Sequence, residues 1–292
     1  MYPSFPDPRA CAALLALLSP LAQAADPVSP QTASEATNAV ELVPSLIKAD
    51  ALKNSLPGAI RVGTQQLHNL RSATSDSASL LRGVPGVSLN SAGGISSLPA
   101  IHGLADDRLR IKIDGMDLVA SCPNHMNPAM SYIAPSNLGN LQVYSGIAPV
   151  SVGGDSIGGT IVADSAAPEF AAPGAASINK GEVGAFYRSN NAARGGNFSA
   201  THAEQFFNIR YDGSYSKANN YSAGDDFNGK TNTGRPGEST QPDEVASTAY
   251  ETESHALGMA LKLGEDLLEM KLGYQHVPQE LFANQRMDMT DN

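Results

Sequence analysis

Tryptophan is missing from this 292-residue sequence, and aromatic residues of all kinds reach only 6%. Charge is sparse as well, at 16%, and its basic part is the smaller one: 19 Lys and Arg stand against 29 Asp and Glu, for a net charge of -10. A chain this acidic has little to offer a phosphate backbone, which argues against nucleic acid as its main partner. No apolar run reaches the roughly 20 residues that a membrane-spanning helix requires. Cysteine is nearly absent, with Cys11 and Cys122 alone. Glycine (27) and proline (19) are plentiful, so turns are many in a chain long enough for one or two domains with a sizeable core.

The longest apolar stretch is ACAALLALLSPLAQA, residues 10–24, which follows Arg9 and ends in the small-x-small pattern Ala22-Gln23-Ala24. Its length suits the apolar part of an export signal, with cleavage expected after Ala24. Cys11 stands at the start of that stretch, ahead of its Leu-rich run, so it is not placed as a lipoprotein cysteine, and it leaves with the leader. Cys122 then has no partner for a structural disulfide in an oxidising compartment. A lone thiol there points to metal binding, an intermolecular link or reactivity.

Past the leader the texture changes twice. Residues 25–57 are polar and Pro- and Ala-rich, an extended segment in which VELVPSLI (40–47) is the one apolar stretch and a candidate for strand addition to a partner. Residues 58–172 read as a compact α+β unit of short elements. SDSASLLRG (75–83) is a capped short helix stopped by glycine. RLRIKIDGMDLV (108–119) alternates Leu109, Ile111 and Ile113 with Arg108, Arg110 and Lys112, and Asp114-Gly115 supplies a tight hairpin turn. LQVYSG and GTIVAD are further strands. The Gly-rich loop between them, 151–159, lacks the Lys-Ser/Thr of a phosphate-binding loop.

From 173 to 292, segments of about ten residues alternate in polarity with period two, as in GEVGAFYRSN, QFFNIRYDGSYSKA and LLEMKLGYQHV. Spans of that length are the pattern of a membrane β-barrel. Residues 216–245 read as one long exposed loop, whereas the other connections, such as 264–266, are short. About five strands fit, too few to close a barrel, so the chain is expected to be an N-terminal fragment.

One stretch concentrates chemistry. SCPNHMNPAMSYI (121–133) holds Cys122, His125, Met126 and Met130 and no carboxylate. Thiolate and thioether are soft donors that favour Cu(I), and imidazole accepts either copper oxidation state. If Pro123 opens a helical turn, Cys122 and Met126 lie four apart on one face. Pro128 breaks any continuation, which leaves Met130 a second-tier donor, with His125 beside it. Core packing is the competing reading of a Cys near a Met. A catalytic Cys122–His125 pair lacks an orienting third group and an oxyanion hole.

Taken together, these pieces resemble the TonB-dependent outer-membrane receptors. LLRGVPGVSLNSAGGISSLPAIHGLADDRLRIKIDGMDLV (80–119) is similar to the plug of that family, and NLQVYSGIAPVSVGGDSIGGTIVADSAAPEF (140–170) to its closing segment. His102 stands where the family commonly has Arg, and Val152-Gly153 where Tyr-Gly is usual. The resemblance implies an α+β plug domain followed by the first antiparallel strands of a 22-strand transmembrane β-barrel. It implies a transporter rather than an enzyme, in the outer membrane and in contact with its lipid. Its partner would be a TonB-type energy-transducing protein that pulls on a short box, here Glu41-Leu42-Val43-Pro44-Ser45 by position. Arg108, Arg110 and Lys112 would face the polar inner wall in ion pairs. Cys122 and Met126 match the plug half of the Cys-x-x-x-Met copper site of one subgroup, so copper is the implied ligand. The barrel half, His-x-Met in that subgroup, has no match here, and Met287-Asp288-Met289 is the nearest sequence to it. A siderophore receptor and a copper-sequestering surface protein are the alternatives. The former sits poorly with the lack of aromatics in residues 116–131.

Overall fold

A computed structural model describes residues 59–91, 93–118, 126–153, 156–227, 241–281 and 288–290. The leader, the segment with Glu41–Ser45, and both Cys122 and His125 fall outside these residues.

The first part is organised around a five-stranded mixed sheet of order β1-β7-β8-β5-β6. Its strands are β1 (Ala59–Val62), β5 (Leu109–Ile113), β6 (Met116–Asp117), β7 (Leu138–Tyr144) and β8 (Gly159–Ser165). β5 and β8 run parallel, and the other pairs are antiparallel. A smaller antiparallel sheet holds β2 (Val87–Ser91), β3 (Ser97–Ile101) and β4 (Leu104–Ala105). One short helix, α1 (Thr64–Leu70), packs Leu67 inward. The expected helix in 75–83 is a 3-10 turn, Ser77–Leu81, whose N-cap Asp76 accepts a hydrogen bond from the Ala78 amide at 3.1 Å. The run SASLL is too short for more than one turn, and Gly83, at φ 91°, ends it. Leu80, Leu81, Ile101, Leu141, Val143 and Ile161 are wholly buried in the shared core.

Two backbone devices shape this unit. Asp114 (φ 51°) and Gly115 (φ 78°) both adopt the left-handed region that a two-residue hairpin turn demands, as the Asp-Gly pair predicts. Gly159, at φ 133°, brings its backbone against the Tyr144 carbonyl. A Cβ there would stand 2.3 Å from that oxygen, so only glycine starts β8 in this place.

The second part is one antiparallel sheet of order β16-β15-β14-β11-β10-β9. Its long strands are β9 (Ile178–Arg188), β10 (Ala193–Ala203), β11 (Phe207–Ala218), β14 (Tyr250–Leu263) and β15 (Asp266–Leu281), with a short β16 (Asp288–Thr290) at one edge. The five expected strands are therefore present, in sequential pairing. The residues read as a long loop contain a two-stranded ribbon, β12 (Tyr221–Ser222) with β13 (Glu244–Val245). That connection lies at one end of the sheet, and the short turns 204–206 and 264–265 lie at the other.

Candidate functional site

The wall strands have two unlike faces because their side chains alternate. Along β11, Asn208, Arg210, Asp212 and Ser216 point to the plug side, where Arg210 donates to both carboxylate oxygens of Asp212 at 2.7 and 2.6 Å. The opposite face is apolar and exposed, with Leu261, Leu263, Leu268, Met270, Leu272 and Tyr274. Ring contacts close that band toward the long-connection end. Phe198, Tyr211, His255 and Tyr274 succeed one another across four strands at centroid distances of 6.3, 6.1 and 6.2 Å. Just past this row, Glu251 accepts hydrogen bonds from Tyr215 (2.7 Å) and Lys217 (2.6 Å). An apolar band edged by rings and then by charge is the arrangement of a barrel wall in lipid. No helix among the described residues is long and apolar enough to cross a membrane, which has no bearing on strands.

Among the polar contacts that join plug and wall, two frame a cavity. Toward the long-connection end, the Arg188 guanidinium donates to Ser75 Oγ and to the Tyr250 hydroxyl, each at 2.8 Å, and Tyr250 donates to Ser75 at 2.9 Å. The buried Tyr250 ring lies on Gly94, where a Cβ would come within 2.1 Å of it. Toward the short-turn end, Lys271 of β15 donates to Asp114 at 2.7 Å, and Ser165 donates to the same oxygen through its amide and hydroxyl. Burial pushes the Asp114 carboxyl up. The hydrogen bonds from Lys271 and Ser165, with the Lys271 charge, outweigh burial and hold it below the usual carboxylate range. Between the two contacts lies a cavity of about 750 Å³ lined by Asp114, Asn127, Tyr132, Arg210, Lys271 and Glu280, among others.

The sulfur-rich stretch enters this region at its C-terminal half. Met126 is half-buried, and its backbone carbonyl accepts a hydrogen bond from Ser96 Oγ. Pro128 stops regular structure as expected and caps a 3-10 turn, Ala129–Tyr132. Met130, within that turn, is completely buried in the plug core. Gln275 of the wall donates to the Ser131 carbonyl at 2.9 Å, so the stretch is pinned from both sides. Among the described residues no three His, Cys, Asp or Glu side chains form a metal cluster. Met289, in the sequence nearest to a His-x-Met pair, stands opposite Glu280 in the β15–β16 ladder.

One expectation about charge is corrected. Arg110 pairs within the plug rather than with the wall, donating to both carboxylate oxygens of Asp117 at 2.8 and 2.7 Å and to the Gly153 carbonyl at 2.9 Å. The tight turn brings Asp117 beside it. The Arg110 hydrogen bond lowers the Asp117 carboxyl against the opposing effect of burial. The plug–wall residues Ser75, Gly94, Ser96, Arg188, Tyr250, Lys271 and Glu280 are not legible from local pattern.

With this geometry in view, residues 52–160 match the family of the TonB-dependent receptor plug domain. Residues 52–160 are thus similar to such a plug, and an open antiparallel sheet of six strands follows them. Solved structures agree on the fold. The copper transporter OprC gives a TM-score of 0.63 at 22% identity, over 80% of this chain and 32% of its own. The FrpB iron transporter from Neisseria meningitidis gives 0.56 at 18% identity, over 76% of this chain and 31% of its own. The ferric enterobactin receptor PfeA from Pseudomonas aeruginosa gives 0.53 at 18% identity, over 77% of this chain and 34% of its own. The chain thus spans about a third of the length of the structures it resembles. A comparison with curated protein sequences finds no match.

Proposed function

We propose that this chain is the plug and first wall strands of an outer-membrane receptor that binds copper and imports it with energy from a TonB-type partner. The observation that carries the copper reading is the soft, carboxylate-free donor set Cys122 and Met126, in a stretch whose described part is held at Met126 by Ser96 and at Ser131 by Gln275. The fold likeness to a protein described as a copper transporter supports it. In this reading Cys122 and Met126 bind the ion, as Cu(I) by preference, from the outer side. His125 stands behind them as a further donor, and Met130 is the weaker one because the core encloses it. The ligand is released when the plug moves against the wall, and Glu41–Ser45 are the box on which the partner pulls. The leader 1–24 directs export. The apolar band of the wall meets outer-membrane lipid.

The test is the copper content of the full-length receptor purified under reducing conditions, beside Cys122→Ser and Met126→Ala. Near-stoichiometric copper in the parent that falls in both variants is the expected result. Copper that is absent, or unchanged in the variants, overturns the site. Deletion of residues 40–47 is expected to abolish copper uptake by intact cells while leaving copper binding in place. Unchanged uptake would favour another route of energisation, and binding without any uptake in the parent would favour a sequestering surface protein. The second reading, a siderophore-type receptor, is favoured by the comparable fold likeness to iron and ferric enterobactin proteins. It requires uptake of a ferric chelate that is indifferent to Cys122.

A further inference from the structure

Glu280 enters the plug from β15, beyond Tyr274, at which the apolar outer band ends. It is 2% exposed. Ser96 of the plug is hydrogen-bonded to its carboxyl, and the Asp76 carboxylate is the charged group that faces it. Tyr250 is its ladder neighbour on β14, and Met289 on β16. Asp76 is itself occupied, accepting from the Ala78 amide at 3.1 Å and from the Ser79 hydroxyl at 2.7 Å.

Ser96 is wholly buried, and its hydroxyl donates to the backbone carbonyl of Met126. A serine hydroxyl carries one hydrogen, and a carbonyl oxygen can only accept. With that hydrogen on Met126, the one between Glu280 and Ser96 has to come from the carboxyl. We propose that Glu280 is a proton-dependent positioning residue for Met126: as the acid it donates to Ser96 Oγ and Ser96 holds the Met126 carbonyl, whereas as the carboxylate it draws the Ser96 hydrogen to itself and releases that carbonyl. The proton passes between Glu280 and solvent, and no other bond changes. Burial is the main reason the acid form persists. It raises Glu280 to about 7; the bond that Ser96 can donate to the carboxylate form pulls the other way, and the Asp76 charge adds a smaller upward push. The relay runs from the wall to the plug, so it ties the seating of the sulfur-bearing stretch to the wall strand that carries Glu280.

The consequence for copper rests on the reading of Met126 as a ligand, but the relay can be measured without copper. Once the leader is removed, Cys122 is the single thiol, four residues from Met126. Its rate of reaction with a fluorescent maleimide is compared in metal-free, full-length receptor at pH 6 and pH 8, for the parent, Glu280→Gln and Ser96→Ala. The glutamine amide donates at every pH and mimics the acid. Dividing the parent rate by the Glu280→Gln rate at each pH cancels the ionisation of the thiol itself. The acid form falls about tenfold between these pH values for a group near 7. The expected ratio is therefore near one at pH 6 and about threefold or more at pH 8, with Ser96→Ala faster than the parent at pH 6. A ratio that does not move with pH, or a Ser96→Ala rate equal to the parent's at pH 6, overturns the proposal. Heat-modifiable migration of each sample shows that the barrel has folded. Copper titration of the same samples separates the two ideas: a parent that binds no copper ends the copper reading and leaves the thiol ratio to decide the relay.

Discussion

The plug and the wall bury their apolar side chains in opposite directions. In the plug, Leu80, Leu141 and Ile161 turn inward from a 3-10 turn and the five-stranded sheet into one shared core. In the wall, Leu268, Met270 and Leu272 turn away from the rest of the chain, and the residues facing the plug are Asn208, Arg210, Asp212 and Lys271. The plug is built as a protein in water is built. Among the described residues the wall takes part in a small buried cluster, Ile95, Ala193, Ala218, Tyr250 and Val277, and Ile95 in it belongs to the plug. The difference teaches that the wall leaves its apolar surface outward and meets the plug largely through polar side chains, with Ile95 the apolar exception.

This contrast can be broken in graded steps. The largest effect is expected from opening a cavity in the plug. Ile161→Ala should cost about 2–5 kcal/mol, whereas Leu268→Ala on the outward face should cost well under half as much. Protease sensitivity of the plug in outer membranes, set beside heat-modifiability of the barrel, reads the two separately. Equal effects of the two truncations would mean that the wall has a water-excluding core of its own. A middle effect is expected at the seam. Gly94→Ala places a methyl group in the Tyr250 ring and should cost about 1–3 kcal/mol, with partial recovery in the double variant that also carries Tyr250→Ala. The smallest is the Asp114–Lys271 contact, worth about 1 kcal/mol. Asp114 is held below its ordinary value, so its contribution is complete above the unfolded carboxylate pKa and is lost as pH falls below about 4. Proteolysis of the parent should therefore rise in acid more steeply than that of Asp114→Asn. Parallel acid profiles would show that Lys271 adds nothing.

How far the sequence disclosed this fold depended on distance along the chain. The Asp114-Gly115 hairpin was legible because two adjacent residues carry the backbone requirement. The five wall strands were legible because period-two alternation repeats over ten residues or more. The helix read in 75–83 shrank to a 3-10 turn, since capping and stop signals say where a helix lies but not that five residues suffice for one. Arg110 was sent to the wall because a strand face was read without its hairpin partner, which carries Asp117. The seam was illegible for a different reason. Tyr250 lies 175 residues from Ser75, and Lys271 lies 157 from Asp114, so no local pattern pairs them. For the sulfur stretch, the residue types pointed to soft-metal chemistry. What the sequence did not disclose is that Ser96 and Gln275 pin it from two sides.

The place of β1 has a mechanical consequence. It is an edge strand, hydrogen-bonded to β7 alone, from Ala59 against Tyr144 to Val62 against Leu141. A tug applied from its N-terminal side meets that ladder first, and the ladder is four residue pairs long. Behind it, β7, β8 and β5 remain bonded to one another, with β8 clasped on both sides. Peeling β1 would therefore be a discrete, reversible click of one strand rather than the collapse of a sheet. The margin of the sheet, held by one short ladder, is where yielding under load is expected to begin, with the fabric behind it still whole.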